Sequence, residues 1–276
     1  MVFKLDGRLL LAGAGKMGGA MLAGWLERGL DPSAVTVVDP GPPPEVAALI
    51  AQGGITQCAE ASSAAASPAV IVVAVKPQIM DAVLPGLAKI AAPETLVLSI
   101  AAGRTIAGFE RHFGRTAAVV RAMPNTPAAI GRGITVCVAN AATAPAQRDL
   151  ATSLLAAVGE VGWIDDERLM DAVTAVSGSG PAYVFLLAEA LAAAGRAQGL
   201  DAALADRLAR ATIAGSGELL RQSDASAEQL RRNVTSPGGT TAAALAVLMR
   251  NGTGLADLMA EAIAEATKRG RELAGG

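Results

Sequence analysis

The sequence predicts an α/β fold class: a doubly wound, mostly parallel sheet in the N-terminal part, followed by an all-helical C-terminal part. Three observations predict it. Short β-branched runs alternate with helical segments up to about residue 165, as parallel strands joined by crossover helices require. A glycine-rich turn separates the first apolar run from the first helical segment. Beyond residue 165 strand signals vanish, and long alanine- and leucine-rich segments take over.

Taken in order, Leu9–Ala12, Val35–Val38, Val70–Val75, Leu96–Ile100 and Ala117–Val120 read as strands. They are nearly continuous apolar runs, the pattern of strands covered on both faces. Gly133–Ala139 and Val161–Ile164 read as weaker strands at the far end. Gly18–Arg28 reads as a helix, with Met21, Leu22, Trp25 and Leu26 on an inward stripe and Gly29 as its stop. Met80–Ile90 reads as another, and Gly41–Pro44 as a proline-rich loop. In the second part, helices are expected at Glu167–Val176, Pro181–Gln198, Ala202–Gln222, Ala225–Arg232, Thr240–Asn251 and Gly254–Leu273. Pro181 suits a first helical position, and Asp201 and Thr253 suit caps. The expected boundary lies near Ile164, giving domains 1–164 and 165–276.

Of the 276 residues, 52% are hydrophobic but only 3% aromatic, so the core is built largely from small side chains and helices can approach closely. A formal charge of -2 offers no basic excess for nucleic acid. Cys58 and Cys137 lie far apart, with neither metal spacing nor a disulfide framework. Lys4, Asp6 and Arg8 precede an apolar run that reaches glycine at once, unlike a signal peptide. The stretch Ala182 to Ala194 carries Glu189 and reads as too short to span a bilayer. These features give the expectation of a soluble, cytoplasmic protein with no nucleic-acid or membrane partner. His112, beside Arg111 and Phe113, reads as a surface residue. There is no GxSxG elbow, HExxH pair or P-loop. The difficult chemical step is therefore expected to belong to an organic cofactor, and no metal is expected.

Gly13-Ala14-Gly15-Lys16-Met17-Gly18 follows a strand and opens a helix, the context a dinucleotide fingerprint needs. Gly13 allows the tight turn, Gly15 leaves room for a pyrophosphate, and Gly18 lets helix and strand approach. The helix N-terminus offers free N–H groups to the phosphates. This pattern marks the N-terminal part as a Rossmann domain. Asp39 ends the next strand, where a carboxylate can bind a ribose 2′-OH and repel a 2′-phosphate; the prolines after it can equally turn it away as a solvated turn residue. Further strand ends carry Lys76-Pro77-Gln78, Ala101-Ala102-Gly103 and Arg121-Ala-Met123-Pro-Asn125-Thr126-Pro127. In such sheets ligands gather beyond the carboxyl ends of the strands. Two later segments, Ser177-Gly-Ser179-Gly-Pro181 and Thr235-Ser236-Pro-Gly238-Gly239-Thr240-Thr241, bring glycines and hydroxyls to helix starts. Each can act as an ordinary N-cap or as a small-anion site.

Together with Ala74-Val75-Lys76-Pro77, Ser99-Ile100-Ala101-Ala102-Gly103, Asp171–Tyr183 and Asn233–Thr241, these motifs make nearly the whole chain resemble pyrroline-5-carboxylate reductases. The resemblance implies a Rossmann domain followed by a helical domain that interlocks into a homodimer, with dimers often forming a ring. It implies NADPH or NADH as cofactor, bound by Gly13 to Gly18, Asp39, Val75 to Pro77, Ile100 to Ala102 and Asn233. It implies that 1-pyrroline-5-carboxylate is held by Ser236, Gly238, Gly239, Thr240 and Thr241, with Thr241 at the ring nitrogen as the catalytic hydroxyl. Glu167 and Asp224 match substrate-side acidic positions of the family. Two other readings are weighed beside it. A β-hydroxyacid dehydrogenase would need a lysine base early in the helical part, and the helices expected at 167–176 and 181–198 contain none. A non-catalytic dinucleotide-binding protein would have no use for the intact Ser-Pro-Gly-Gly-Thr-Thr turn.

Overall fold

A computed structural model describes residues 5–274; Lys4, and with it the start of the segment judged against a signal peptide, lies outside them. Eight strands form one sheet: β1 (Leu9–Ala12), β2 (Val35–Val38), β3 (Thr56–Cys58), β4 (Val70–Val73), β5 (Leu96–Ser99), β6 (Ala118–Met123), β7 (Gly133–Ala139) and β8 (Gly159–Trp163). Their order is β3-β2-β1-β4-β5-β6-β7-β8. Pairing is parallel throughout except between β6 and β7. The chain leaves β1 toward β2 on one side and returns to β4 on the other, which opens a crevice at the β1/β4 carboxyl ends.

The alternation of side chains along each strand divides the core into two layers. Leu9, Leu11, Val70, Val72, Leu96 and Leu98 pack on one face. There they meet α1 (Lys16–Glu27), α2 (Pro44–Gly53) and α5 (Pro145–Leu155). Leu10, Ala12, Ile71, Val73 and Val97 pack on the other, against α3 (Met80–Ile90) and α4 (Ile106–Phe113). Trp25 is fully buried, and its indole N–H donates to the Leu154 carbonyl at 2.8 Å, tying α1 to α5. Truncating such a side chain to alanine typically costs about 3–5 kcal/mol.

Several expected elements are shifted. The strand expected at Val70–Val75 ends at Val73, and that at Leu96–Ile100 at Ser99; the residues beyond form the loops that line the crevice. The strand expected at Ala117–Val120 runs on to Met123, because its antiparallel pairing with β7 continues to Val136. The strand β3 was not anticipated: its Thr-Gln-Cys sequence is largely exposed at the sheet edge and carries no apolar signal.

The helix expected at Glu167–Val176 is broken into a 3-10 turn Glu167–Leu169, the short α6 (Met170–Val173) and a π turn Thr174–Gly178. The π turn carries the helical path on into α7 (Gly180–Ala197). The helical run Glu167–Ala197 spans 31 residues and contains an 18-residue window with a mean hydropathy of 1.3, long and apolar enough to cross a membrane by length and composition. The expectation of too short a stretch therefore fails, because it took the run as interrupted at the glycines around 178–180.

The chain divides into two compact units, one reaching Gly178 and including the residues from Thr267 onward, the other Ser179–Ala266. Strands end at Trp163, near the expected boundary, but packing carries the first unit further: Met170 is fully buried within its core. Gly270 belongs to this unit too, and a Cβ there would lie 3.2 Å from the Asp171 side chain. The second unit contains α7, α8 (Ala202–Gln222), α9 (Ala227–Asn233), α10 (Thr240–Leu248) and most of α11 (Leu255–Ala274). Asp201 caps α8 as expected, accepting from the N–H groups of Ala203 and Leu204. Pro181 occupies the second helical position rather than the first, since Gly180 opens α7. The helix expected to run to Asn251 stops at Leu248.

Candidate active site

The crevice is built by the loop between β1 and α1. Gly13 has φ +89°, and a Cβ there would come within 2.8 Å of the Ala74 carbonyl and the Val75 nitrogen. Only glycine suits both the conformation and the space. A Cβ on Gly18 would collide with the Gly13 oxygen, so this glycine serves the close approach of helix and strand. Gly15 differs: nothing in the protein lies within 4 Å of where its Cβ would be. Packing explains the first and third glycines of the motif, while the second faces open space in front of a helix whose N-cap makes no side-chain bond. An uncapped tip of a 12-residue helix, with four N–H groups lacking partners in the helix, fits a pyrophosphate.

A cavity of ≈ 910 Å³ opens from this loop, large enough for a dinucleotide half. Gly13, Gly15, Asp39, Val75 and Lys76 line it. Asp39 is not turned away by its prolines. One carboxylate oxygen accepts from the Ala14 N–H at 2.7 Å, the other from the Gly41 N–H at 2.9 Å. Ile100 and Ala101 are nearly buried at the end of β5, whereas Ala102 is exposed. Asn125 uses its side-chain oxygen to accept from the Ile134 N–H at 3.0 Å, which fixes the turn between β6 and β7. Glu60, Ser62 and Lys89 also line the cavity but escaped sequence reading. The first two follow the unanticipated β3, and Lys89 sits in the last turn of α3.

Two ion pairs brace the loops at this edge. Arg104 donates to both oxygens of Asp81 and to the Pro77 carbonyl, at 2.8 to 3.1 Å. The Arg104 hydrogen bonds hold the Asp81 carboxyl below its usual range. His112 lies 4.0 Å from Asp81 and is half-buried rather than a free surface residue. Arg121, only 4% exposed, donates to Glu167 at 2.8 Å. The same Glu167 oxygen accepts from the Ile106 N–H at 2.9 Å, at the first residue of α4. Glu167, expected on sequence to face substrate, is thus engaged with the protein itself.

In the second unit, Ser236–Gly239 forms a turn closed by the Gly239 N–H to the Ser236 carbonyl at 3.1 Å, with Gly238 at φ +69°. The helix α10 starts at Thr240 with Gly239 as N-cap and no side-chain cap. Thr235 donates its hydroxyl to the Arg231 carbonyl instead. The N-cap alternative for these hydroxyls therefore does not describe α10, and its first N–H groups stay available for an anion. Likewise α7 has Ser179 at the N-cap without a cap bond. Ser236 and Thr240 are exposed, and Thr241 is half-buried. Asn233 accepts from Gln229 at 2.7 Å, and Asp224 is exposed. Among the described residues no group of acidic, histidine or cysteine side chains could hold a metal ion.

Residues 167–273 match a family model described as pyrroline-5-carboxylate reductase dimerisation, and residues 9–103 one described as NADP oxidoreductase, coenzyme F420-dependent. A pyrroline-5-carboxylate reductase of Pseudomonas aeruginosa is 42% identical over 268 residues, covering 97% of each chain. One of Synechocystis is 45% identical over 204 residues, 74% of each chain. The solved structure of a pyrroline-5-carboxylate reductase from Coxiella burnetii superposes with a TM-score of 0.90 at 33% identity, covering 98% of this chain and 99% of that one. That of a pyrroline carboxylate reductase from Plasmodium falciparum, with NADP bound, gives 0.81 at 29% identity and 98% coverage of both. With identity of this level running the length of both units, the chain belongs to the pyrroline-5-carboxylate reductase family.

Proposed function

We propose that the chain reduces 1-pyrroline-5-carboxylate to proline with NADH or NADPH, the closing step of proline biosynthesis. The observation that carries this reading is the Gly15 cradle, open in front of an uncapped helix in a chain that aligns end to end with reductases of that substrate. When bound, the reduced nicotinamide would supply a hydride to the imine carbon of the ring, the C=N carbon that does not bear the carboxylate. The protein's own contribution is binding and orientation. Gly13 to Gly18 receive the pyrophosphate, Asp39 the adenosine ribose, and Val75 to Pro77 with Ile100 to Ala102 the nicotinamide half, with Asn233 as a further cofactor contact. The Ser236–Thr241 turn holds the substrate carboxylate on the free N–H groups of α10, and Thr241 hydrogen-bonds the ring nitrogen. An imine nitrogen is basic, so a hydroxyl relaying a proton from water serves where a carbonyl would need a stronger acid. Asp224 stands as a substrate-side acid. For Glu167 the Arg121 pair supports bracing of the site rather than direct contact.

Residues 1–164 act as the dinucleotide domain and 165–276 as the substrate and dimerisation domain, the protein working as a homodimer or a ring of dimers. The long apolar helices then face a second copy rather than a membrane. Both cysteines are free, which suits a reducing cytoplasm, and the near-neutral charge suits no nucleic-acid partner. The dehydrogenase alternative still lacks its base, since α6 and α7 contain no lysine. The experiment is direct: incubate the protein with 1-pyrroline-5-carboxylate and either reduced cofactor, following cofactor absorbance and proline formation. Cofactor oxidation with proline as product is expected, and its absence with both cofactors refutes the reading. Thr241→Ala should lower kcat/KM at least tenfold, about 1.4 kcal/mol; a smaller loss removes Thr241 from proton delivery.

A further inference from the structure

We infer that this reductase selects NADH over NADPH, with Asp39 and the proline turn behind it as the excluding device. The inference rests on the dinucleotide reading of the β1–α1 loop and deepens it.

Asp39 follows the last residue of β2, where the adenosine ribose arrives in a doubly wound sheet. Its carboxylate is pinned between two backbone donors, the Ala14 N–H at 2.7 Å and the Gly41 N–H at 2.9 Å. Because Ala14 lies inside the glycine loop, the negative charge is fixed relative to the phosphate-binding turn. Each carboxylate oxygen accepts more than one hydrogen bond, so both remain open to ribose hydroxyls. A 2′-phosphate meets the opposite situation: its charge falls against a carboxylate that cannot swing aside without releasing two N–H groups.

The turn beyond offers nothing in compensation. Residues 40–44 are Pro-Gly-Pro-Pro-Pro. Proline carries no N–H, and the single glycine N–H already points at Asp39. No side chain in that turn is cationic or bears a hydroxyl. The β3 end adds a second carboxylate, Glu60, with Ser62 donating to it at 3.4 Å. The lysines of the cavity, Lys76 and Lys89, belong to the β4–α3 side. Neither lysine lies in the turn behind Asp39, and the helix that carries Lys89 packs against the Ala61 segment beside the Glu60 carboxylate. Lys76 stands three residues beyond β4, in the loop whose Ala74 and Val75 backbone lies against Gly13.

The test needs no turnover. The unliganded protein is titrated calorimetrically with ADP-ribose and with 2′-phospho-ADP-ribose. ADP-ribose is expected to bind on the order of 10- to 100-fold more tightly, the range set by losing a hydrogen bond to a charged group. Asp39→Asn keeps an oxygen for the Ala14 N–H and removes the charge; the ratio should contract by about tenfold, chiefly through tighter binding of the 2′-phosphorylated ligand. In the wild type the same ratio should contract between about 0.05 and 0.5 M salt as the repulsion is screened, a readout that survives if the variant does not fold. Equal affinities, or tighter 2′-phospho-ADP-ribose binding, overturn NADH selection while leaving the reductase reading intact. A ratio indifferent to both Asp39→Asn and salt removes Asp39 as its cause. Binding of neither ligand overturns the inference together with the dinucleotide reading itself.

Discussion

Replacing Glu167 by alanine separates bracing from substrate contact. One Glu167 oxygen takes hydrogen bonds from the Arg121 guanidinium at 2.8 Å and the Ile106 N–H at 2.9 Å. The side chains of Arg121 and Glu167 are 5% and 27% exposed. Removing one member of a buried pair typically costs about 3–5 kcal/mol, because the remaining charge stays desolvated. Partial exposure of Glu167 places this pair at the low end, about 3 kcal/mol. For a domain of this size each kcal/mol shifts Tm by about 2–4 °C, so the variant should melt roughly 6–12 °C lower. Adding Arg121→Met to Glu167→Ala should recover part of the loss, since no guanidinium is then left unpaired. The assay is thermal unfolding of the single and double variants, with KM for pyrroline-5-carboxylate measured below the transition. A Tm within about 1 °C of wild type combined with a tenfold higher KM would show that Glu167 contacts substrate and that the bracing argument is wrong.

Gly18→Ala places a methyl group against the Gly13 oxygen and 3.3 Å from the Ala74 side chain. It should weaken ADP-ribose binding at least tenfold, about 1.4 kcal/mol, and unchanged calorimetric affinity would contradict the packing role. Cys137 is buried in β7, and burial pushes its thiol up to about 12; at pH 8 it should resist iodoacetamide in the folded protein and react after denaturation, as mass spectrometry of the labelled peptides would reveal. Asp81 has a lowered pKa in the folded state through its Arg104 hydrogen bonds. That contribution is present above the unfolded value of about 4 and fades as pH falls through the lower folded value, so Asp81→Asn should flatten acid unfolding below about pH 4. Phe185→Glu on α7, where Phe185 is 62% exposed, should weaken a homodimer by about 2 kcal/mol or more; light scattering that still finds a tight dimer would move the interface elsewhere.

What sequence revealed and what it hid follow a physical division. Leu9–Ala12 and Val35–Val38 are legible to the residue because a central parallel strand is apolar on both faces. The glycine loop is legible because Gly13 and Gly18 answer local steric demands and Gly15 leaves the helix tip open. The edge strand β3 is hidden because its stability comes from pairing with β2, not from its own side chains. Glu60 and Ser62 are hidden with it. The partner of Glu167 is hidden for the same reason: Arg121 lies 46 residues away, and only the sheet brings them together. The direction of Asp39 is a middle case. Its position reads from the spacing, but the choice between turned in and turned away depends on two backbone N–H groups, one of them 25 residues distant.

The helical unit poses a different problem, one of unused hydrophobicity. Alanine-rich helices can fill a monomer's core or an interface, and composition does not choose between them. Burial within the single chain does. On α7 the one buried residue is Ala192, and on α8 only Ala205 and Ala209 are buried; α9 and α10 have none. Val184, Phe185, Leu186, Leu187 and Leu191 all stay exposed along one helix. A contiguous apolar surface of that kind marks an interaction site on a folded protein. Its 31-residue apolar path would also satisfy a length test for a membrane helix. The π turn Thr174–Gly178 itself belongs to the first unit, where Ala175 is 1% exposed and a Cβ on Gly178 would strike Met123. The residues matched by the dimerisation model, 167–273, take in every one of these exposed side chains.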